Sequence, residues 1–331
     1  MRCAGSFPAA DKRPDFFIVG APRCGTTALV EYLSWHPDIF MAKKEMHFFG
    51  GDLHFGAQFY RRDHKAYLAE FNDRNGEPRA GEASVWYLFS EQAAAEIKAF
   101  NAEARIIIML RQPAEMLCAL YNMFRCDGNE YLPAFEQALA AQVDRRSGRK
   151  IGRRTYLRQG LLYHEVARYT QQVRRYFDVF GRDRVRVVLF DDFAANTAGV
   201  YGEVLEFLGV DSTRIPESFP VVNGNVCAST VRLSWLRDLL CDPLLRGKVI
   251  AMNSLLPRPV FAALQRIELQ LTQLNHRHVA RPQLDPDLKA RLCRDFAPEV
   301  DLLGKLLGRD LTHWKLETES ANQTFQPVTP N

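Results

Sequence analysis

Short continuous apolar runs alternate along the chain with longer segments of helical period. Phe16-Phe17-Ile18-Val19-Gly20 is apolar throughout, as in a parallel strand buried on both faces. Ala28, Leu29, Tyr32 and Leu33 then recur at helical spacing over Thr27 to His36, and His36-Pro37-Asp38 ends that helix. Arg105 to Leu110 is a second buried strand, and Pro113 opens a helix that runs to about Arg125. Leu162 to Phe180 reads as one long amphipathic helix, Gly181-Arg182-Asp183 as a turn, and Val185 to Phe190 as a third strand. Thr197 to Leu208 is a helix stopped by Gly209. This alternation predicts an α/β fold, a parallel sheet flanked by helices, with a mainly helical C-terminal part after Val210 that is a candidate lid. The polar stretches 1–14 and 316–331 read as flexible termini around a single domain, 15–315.

Composition narrows the function only a little. A chain of 331 residues with 47% apolar and 25% charged positions is ordinary for a soluble globular protein. Its net charge of +4 is too small to indicate nucleic acid. Only ten of the 43 basic residues are lysine. Arginine forks suit phosphate and sulfate oxygens, although a genome rich in G and C is the simpler source of the bias. Seven cysteines without a CxxC spacing make neither a disulfide framework nor a zinc site, so a reducing compartment and no metal are expected. Met1 to Asp15 lacks a signal-peptide core, and no apolar run approaches the roughly 20 residues of a membrane span, so the expected location is cytoplasmic.

The chemistry concentrates in Phe16 to Thr27, FFIVGAPRCGTT. Gly20 and Gly25 have the spacing of a phosphate-binding loop between a strand and a helix, where backbone N–H groups curl around an anion. The lysine of such loops is missing: Thr26 holds its place, Thr27 supplies the hydroxyl, and Arg23 is the loop's only cation. That set is poorly equipped to bridge the β- and γ-phosphates of a triphosphate. Further motifs follow in order: Lys43-Lys44-Glu45-Met46-His47-Phe48-Phe49, Gly81-Glu82-Ala83-Ser84 before Trp86 and Tyr87, and Leu110-Arg111-Gln112-Pro113. Residues at strand C-termini line the crevice of an open parallel sheet, which puts Gly20–Thr27 and Arg111 at one edge.

With these stretches, and with RPQLDP at Arg281 and LLGRDLTHW ending at Trp314, the chain resembles the sulfotransferases that use 3′-phosphoadenosine 5′-phosphosulfate (PAPS). The branch is that of the heparan sulfate sulfotransferases and their bacterial relatives, and the resemblance covers roughly Asp15 to Trp314. It implies a P-loop-kinase-like fold and PAPS as co-substrate. It also implies a loop of Arg23, Cys24, Gly25, Thr26 and Thr27 gripping the 5′-phosphosulfate, with Arg23 at the sulfonate and Arg111 on the 3′-phosphate. Three departures stand out. Ala119 replaces a serine that usually joins Arg111, and Ala83 replaces a lysine of some glycan-modifying relatives. The late loop lacks the Lys-Gly-Arg pattern, which leaves Arg277 and Arg281 as its cations.

Within that resemblance Glu45 is the general base, since a carboxylate beside the sulfonate takes the proton of an acceptor hydroxyl. Arg23, with Lys43 or Lys44, stabilises the charge that develops, and His47 is either a second base or orienting partner, or a ring packed beside Phe48 and Phe49. Trp86 and Tyr87 suit adenine stacking, the lining of an acceptor cleft, or core packing, and Tyr163, after Arg158-Gln159-Gly160, lies either at a join that in the family is near the bound nucleotide or in the core. Cys24, in an anion loop, is either a thiol of lowered pKa or a small filler. The basic run from Arg145 to Arg158 fits an anionic acceptor or a solvated loop. Leu244 to Leu271 fits peripheral membrane contact or a packed lid. The expected activity is sulfonate transfer to a hydroxyl of a carbohydrate, glycan or lipid-linked acceptor, with no nucleic-acid partner. The alternatives are a P-loop nucleotide kinase or NTPase, and a non-catalytic nucleotide- or glycan-binding relative.

Overall fold

The structure is a computed structural model and describes residues 13–55, 63–222, 229–231, 276–278 and 284–315. Five strands form one sheet: β1 (Phe16–Gly20), β2 (Ile39–Met41), β3 (Arg79–Ala83), β4 (Arg105–Leu110) and β5 (Val185–Leu189), in the order β2-β3-β1-β4-β5. Every neighbouring pair is parallel. Burial of both sheet faces explains the apolar runs: every residue of β1, and all of β4 after Arg105, is buried.

β1 is the centre of the sheet. Its chain leaves through α1 (Thr26–Ser34) toward β2 on one side, while β4 and β5 lie on the other. The switch in direction opens the crevice beyond the C-terminal ends of the strands. Backbone bonds tie these ends together: the Ala21 N–H donates to Met109 (2.6 Å), that of Ala42 to Gly81 (2.9 Å), and that of Ser84 to Ile18 (3.2 Å).

Helices α2 (His64–Ala69), α3 (Ala93–Phe100), α4 (Pro113–Asp127), α5 (Phe135–Ala140) and α6 (Gln142–Arg146) follow in chain order. After them come α7 (Tyr163–Val166), α8 (Tyr169–Phe180), α9 (Phe190–Ala195) and α10 (Thr197–Leu208). The predicted helix over Leu162 to Phe180 is therefore two. The break has a distant cause: the Thr170 N–H, in the first turn of α8, donates to the Glu299 carboxylate at 2.6 Å, so the cap comes from another helix. Phe190 begins α9 rather than ending β5.

Beyond Val210 the described residues are α11 (Pro286–Leu307) and a short antiparallel pair, β6 (Ser229–Val231) with β7 (His276–His278). The stretch from Leu244 to Leu271 lies outside the described residues, so its lid and membrane readings are left there. The chain closes on Trp314, 2% exposed, whose indole N–H donates to Asp191 and whose carbonyl accepts from Gln112 at 3.3 Å. No described helix is long and apolar enough to cross a membrane.

Four members of the basic run from Arg145 to Arg158 meet carboxylates. Arg146 meets Glu165 (2.8 Å), while Arg149 and Lys150 share Asp144 (both 2.8 Å). Arg145 is buried and reaches the buried Glu130 at 2.7 Å, and the Tyr163 hydroxyl also donates to Glu130. Arg145 is thus scaffold, while Arg146, Arg149 and Lys150 stay exposed. Breaking a buried pair leaves a charge without its counter-ion and costs about 3–5 kcal/mol. Urea unfolding of Arg145→Met is expected to show that loss, whereas the exposed Arg153→Met stays within about 0.5 kcal/mol of wild type.

Candidate active site

The loop from Gly20 to Gly25 is shaped by its two glycines. Gly20 has φ 150°, and a Cβ there would stand 2.6 Å from the Val85 carbonyl oxygen. Gly25, at φ 89°, caps the start of α1, which has no side-chain cap. A Cβ on Gly25 would meet the Phe190 ring at 3.0 Å. Between them Arg23 adopts φ 63°, and its Nε is buried without a hydrogen-bond partner. Cys24 is fully buried, and burial pushes its thiol up to about 12, so it is the filler and not a reactive thiolate.

The lysine absent from the loop arrives from the next motif. Lys44 Nζ donates to Thr26 Oγ1 at 3.1 Å and to Thr27 Oγ1 at 2.8 Å. Of the two candidate lysines it is therefore Lys44 that joins the loop, while Lys43 is exposed. Burial lowers the Lys44 pKa, against the partial support of Glu45, whose Oε1 lies 3.6 Å away.

Glu45 keeps a quarter of its side-chain surface open. Its other oxygen, Oε2, is 3.0 Å from His47 Nε2. The His47 ring stacks on Phe55 (centroids 4.3 Å apart, planes at 21°), and its Nδ1 is buried without a partner. His47 thus meets Glu45 and is also a packed ring, although the ring it packs on is Phe55. Lys44, Glu45, His47, Thr26 and Thr27 form one connected group.

Arg111 follows β4 at the same edge. Its guanidinium lies 4.6 Å from the centre of the Phe190 ring and makes two bonds to Glu115 Oε2, at 2.8 and 3.2 Å. Lys289, from the first turns of α11, reaches Glu115 Oε1 at 3.5 Å. Burial alone would raise the Glu115 carboxyl, but Arg111 and then Lys289 outweigh it and hold it below its ordinary value. Arg277 lies in β7, where only the backbone is described, and Arg281 lies outside the described residues.

Trp86 is core: it is 3% exposed and stacks on Phe124 with planes 6° apart. Tyr163 is buried on Glu130, as expected of a packing residue. Three participants escaped the sequence reading. Phe190 forms the floor beneath Gly25 and Arg111, Lys289 extends the Arg111 cluster, and Glu82 sits fully buried under the Lys43–Phe49 segment. For Glu82 a signal existed, since a carboxylate in a buried strand demands hydroxyl partners, and Ser84 and Tyr87 follow it.

A phosphate-type loop with a borrowed lysine and an adjacent carboxylate agrees with the family comparison. The model of the sulfotransferase domain matches residues 13–223. The chain belongs to the sulfotransferase domain family. A solved sulfotransferase from Alicyclobacillus acidocaldarius is 30% identical, with a TM-score of 0.67 over 92% of this chain and 99% of that one. The heparan sulfate glucosamine 3-O-sulfotransferase 3A1 of Mus musculus is 28% identical over 124 residues, 37% of this chain and 29% of its own length. Carbohydrate sulfotransferase 15 of Mus musculus is 25% identical over 247 residues, 60% of this chain and 44% of its own. The chain spans between 22% and 30% of the first curated relatives it matches. Membership in the sulfotransferase family does not favour the nucleotide-kinase alternative.

Proposed function

We propose that the protein transfers a sulfonate from PAPS to a hydroxyl of a carbohydrate, glycan or lipid-linked acceptor. The observation that carries this reading is the Lys44 ammonium on the Thr26 and Thr27 hydroxyls, with the Glu45 carboxylate beside it. It restores a cation to the anion loop and sets it next to a base. The buried, unpartnered Arg23 Nε and the uncapped start of α1 fit a phosphosulfate at the same place. Arg111 and Lys289 fit the second phosphate, in a family position where Ala119 supplies no hydroxyl.

PAPS, when bound, supplies an activated sulfonate and a phosphate leaving group. Glu45 takes the acceptor proton on its carboxylate, and His47 holds that carboxylate from the other side. Arg23 and Lys44 place positive charge where negative charge grows. Lys44 thereby fills the need left by Ala83.

Calorimetry tests the donor. Adenosine 3′,5′-bisphosphate is expected to bind, ATP with Mg²⁺ is not, and Arg111→Ala is expected to weaken the former by about tenfold or more, as for a lost charge-assisted hydrogen bond. Binding of ATP with Mg²⁺ and not of the bisphosphate would return the kinase alternative. Labelled PAPS offered with desulfated heparan sulfate and other carbohydrates then tests the acceptor. The relatives act, by name, on heparan sulfate glucosamine and on carbohydrate, and the same class is proposed here.

A further inference from the structure

Residues Met46 to Gly51 belong to no helix or strand, yet their six consecutive N–H groups all donate to side chains. Met46 and His47 donate to Ser84 Oγ, at 3.1 and 3.0 Å. Phe48 and Phe49 donate to the Tyr87 hydroxyl, at 2.8 and 3.3 Å. Gly50 and Gly51 donate to the Glu96 carboxylate, at 2.7 and 3.3 Å. The two hydroxyls have one common partner. Ser84 Oγ–H and Tyr87 Oη–H both donate to Glu82 Oε1, at 2.7 and 2.6 Å, and Tyr67 Oη–H donates to Glu82 Oε2 at 2.6 Å.

A hydroxyl has one proton and two lone pairs. With both protons directed at Glu82, the lone pairs of Ser84 and Tyr87 are turned toward the four amides. A carboxylate imposes this direction because it only accepts. We infer that Glu82 is a positioning residue: through the Ser84 and Tyr87 hydroxyls it fixes the backbone of the segment that carries Glu45 and His47. The fixed shape includes His47 at φ 47°, a left-handed conformation that a non-glycine residue keeps only when its surroundings enforce it. The hold on the segment stands on geometry alone, whereas its meaning for the reaction rests on the proposed role of Glu45.

Amide hydrogen exchange resolved to single residues, run beside PAPS-dependent transfer to desulfated heparan sulfate, tests both parts. Ser84→Ala is expected to speed exchange at Met46 and His47 by about tenfold or more, the scale of one lost buried hydrogen bond, and to spare Phe48 and Phe49. Tyr87→Phe is expected to do the reverse. Glu82→Gln, whose amide must direct N–H at one hydroxyl, is expected to speed all four. Its kcat is expected to fall by about tenfold or more while affinity for adenosine 3′,5′-bisphosphate stays within about twofold. Wild-type protection at all four amides in Glu82→Gln would overturn the inference. Should that variant not fold, the absence of the two-by-two pattern in the single-hydroxyl variants overturns it as well. The two-by-two pattern in the single-hydroxyl variants, together with a wild-type enzyme that transfers nothing, would keep the hold on the segment and overturn the chemistry assigned to it.

Discussion

Glu45→Gln is expected to lower sulfonate transfer by at least about 100-fold, the lower end of what a positioned general base contributes. The amide keeps the size of the side chain and its reach to His47, but it cannot take a proton. Affinity for adenosine 3′,5′-bisphosphate is expected to change little, because no loop residue loses its charge. Turnover measured with saturating PAPS separates the two effects. Equal turnover by both proteins would remove Glu45 from the chemistry.

Lys44→Met is the second large effect. A preorganised donor at a site of developing charge is worth about 2.7–4 kcal/mol of barrier, a fall of about 100-fold to 1,000-fold. Lys43→Met, one residue away and exposed, is expected to stay close to wild type. The contrast distinguishes a directed ammonium from a merely basic neighbourhood. Lys44 also predicts a pH dependence. Burial lowers its pKa, so the ammonium is present at low pH and is lost as pH rises through a value below that of a free lysine. The alkaline limb of the kcat profile is expected to fall there, and Lys44→Arg, which cannot deprotonate, is expected to move that limb upward. An unchanged limb in Lys44→Arg would assign it to another group.

Strands buried on both faces were the legible part of the fold. β1, β4 and β5 show as apolar runs because a sheet covered by helices leaves no polar face. β3 does not, because Arg-Ala-Gly-Glu-Ala is neither apolar nor rich in branched residues. It is a strand because β1 and β2 flank it, and its glutamate is paid for by three hydroxyls. The helix break at Ala167 and Arg168 was illegible for a similar reason, as the capping carboxylate is Glu299. At the site the spacing of Gly20 and Gly25 was sufficient to find the loop, whereas the proposal of Glu45 as the base came from the family resemblance and not from local order. Choosing Lys44 over Lys43 required knowing which side chain turns toward Thr26 and Thr27. That direction is set by a backbone held from β3. Lys289 and Phe190 meet Arg111 only through tertiary packing, so no local pattern announced them.

The pairwise capture of the amides from Met46 to Gly51 separates the form of this segment from its own side chains. Its acceptors sit at Ser84, Tyr87 and Glu96, outside it, and none of the six bonds uses a side chain of the segment. Exchange of Lys43, exposed and three residues before the segment, touches none of these six bonds. A mutational library confined to such exposed positions is expected to leave the course of Met46 to Gly51 undisturbed, which amide exchange at these six residues checks. The frame is inherited, the display is free to vary, and a change of acceptor needs no change of fold.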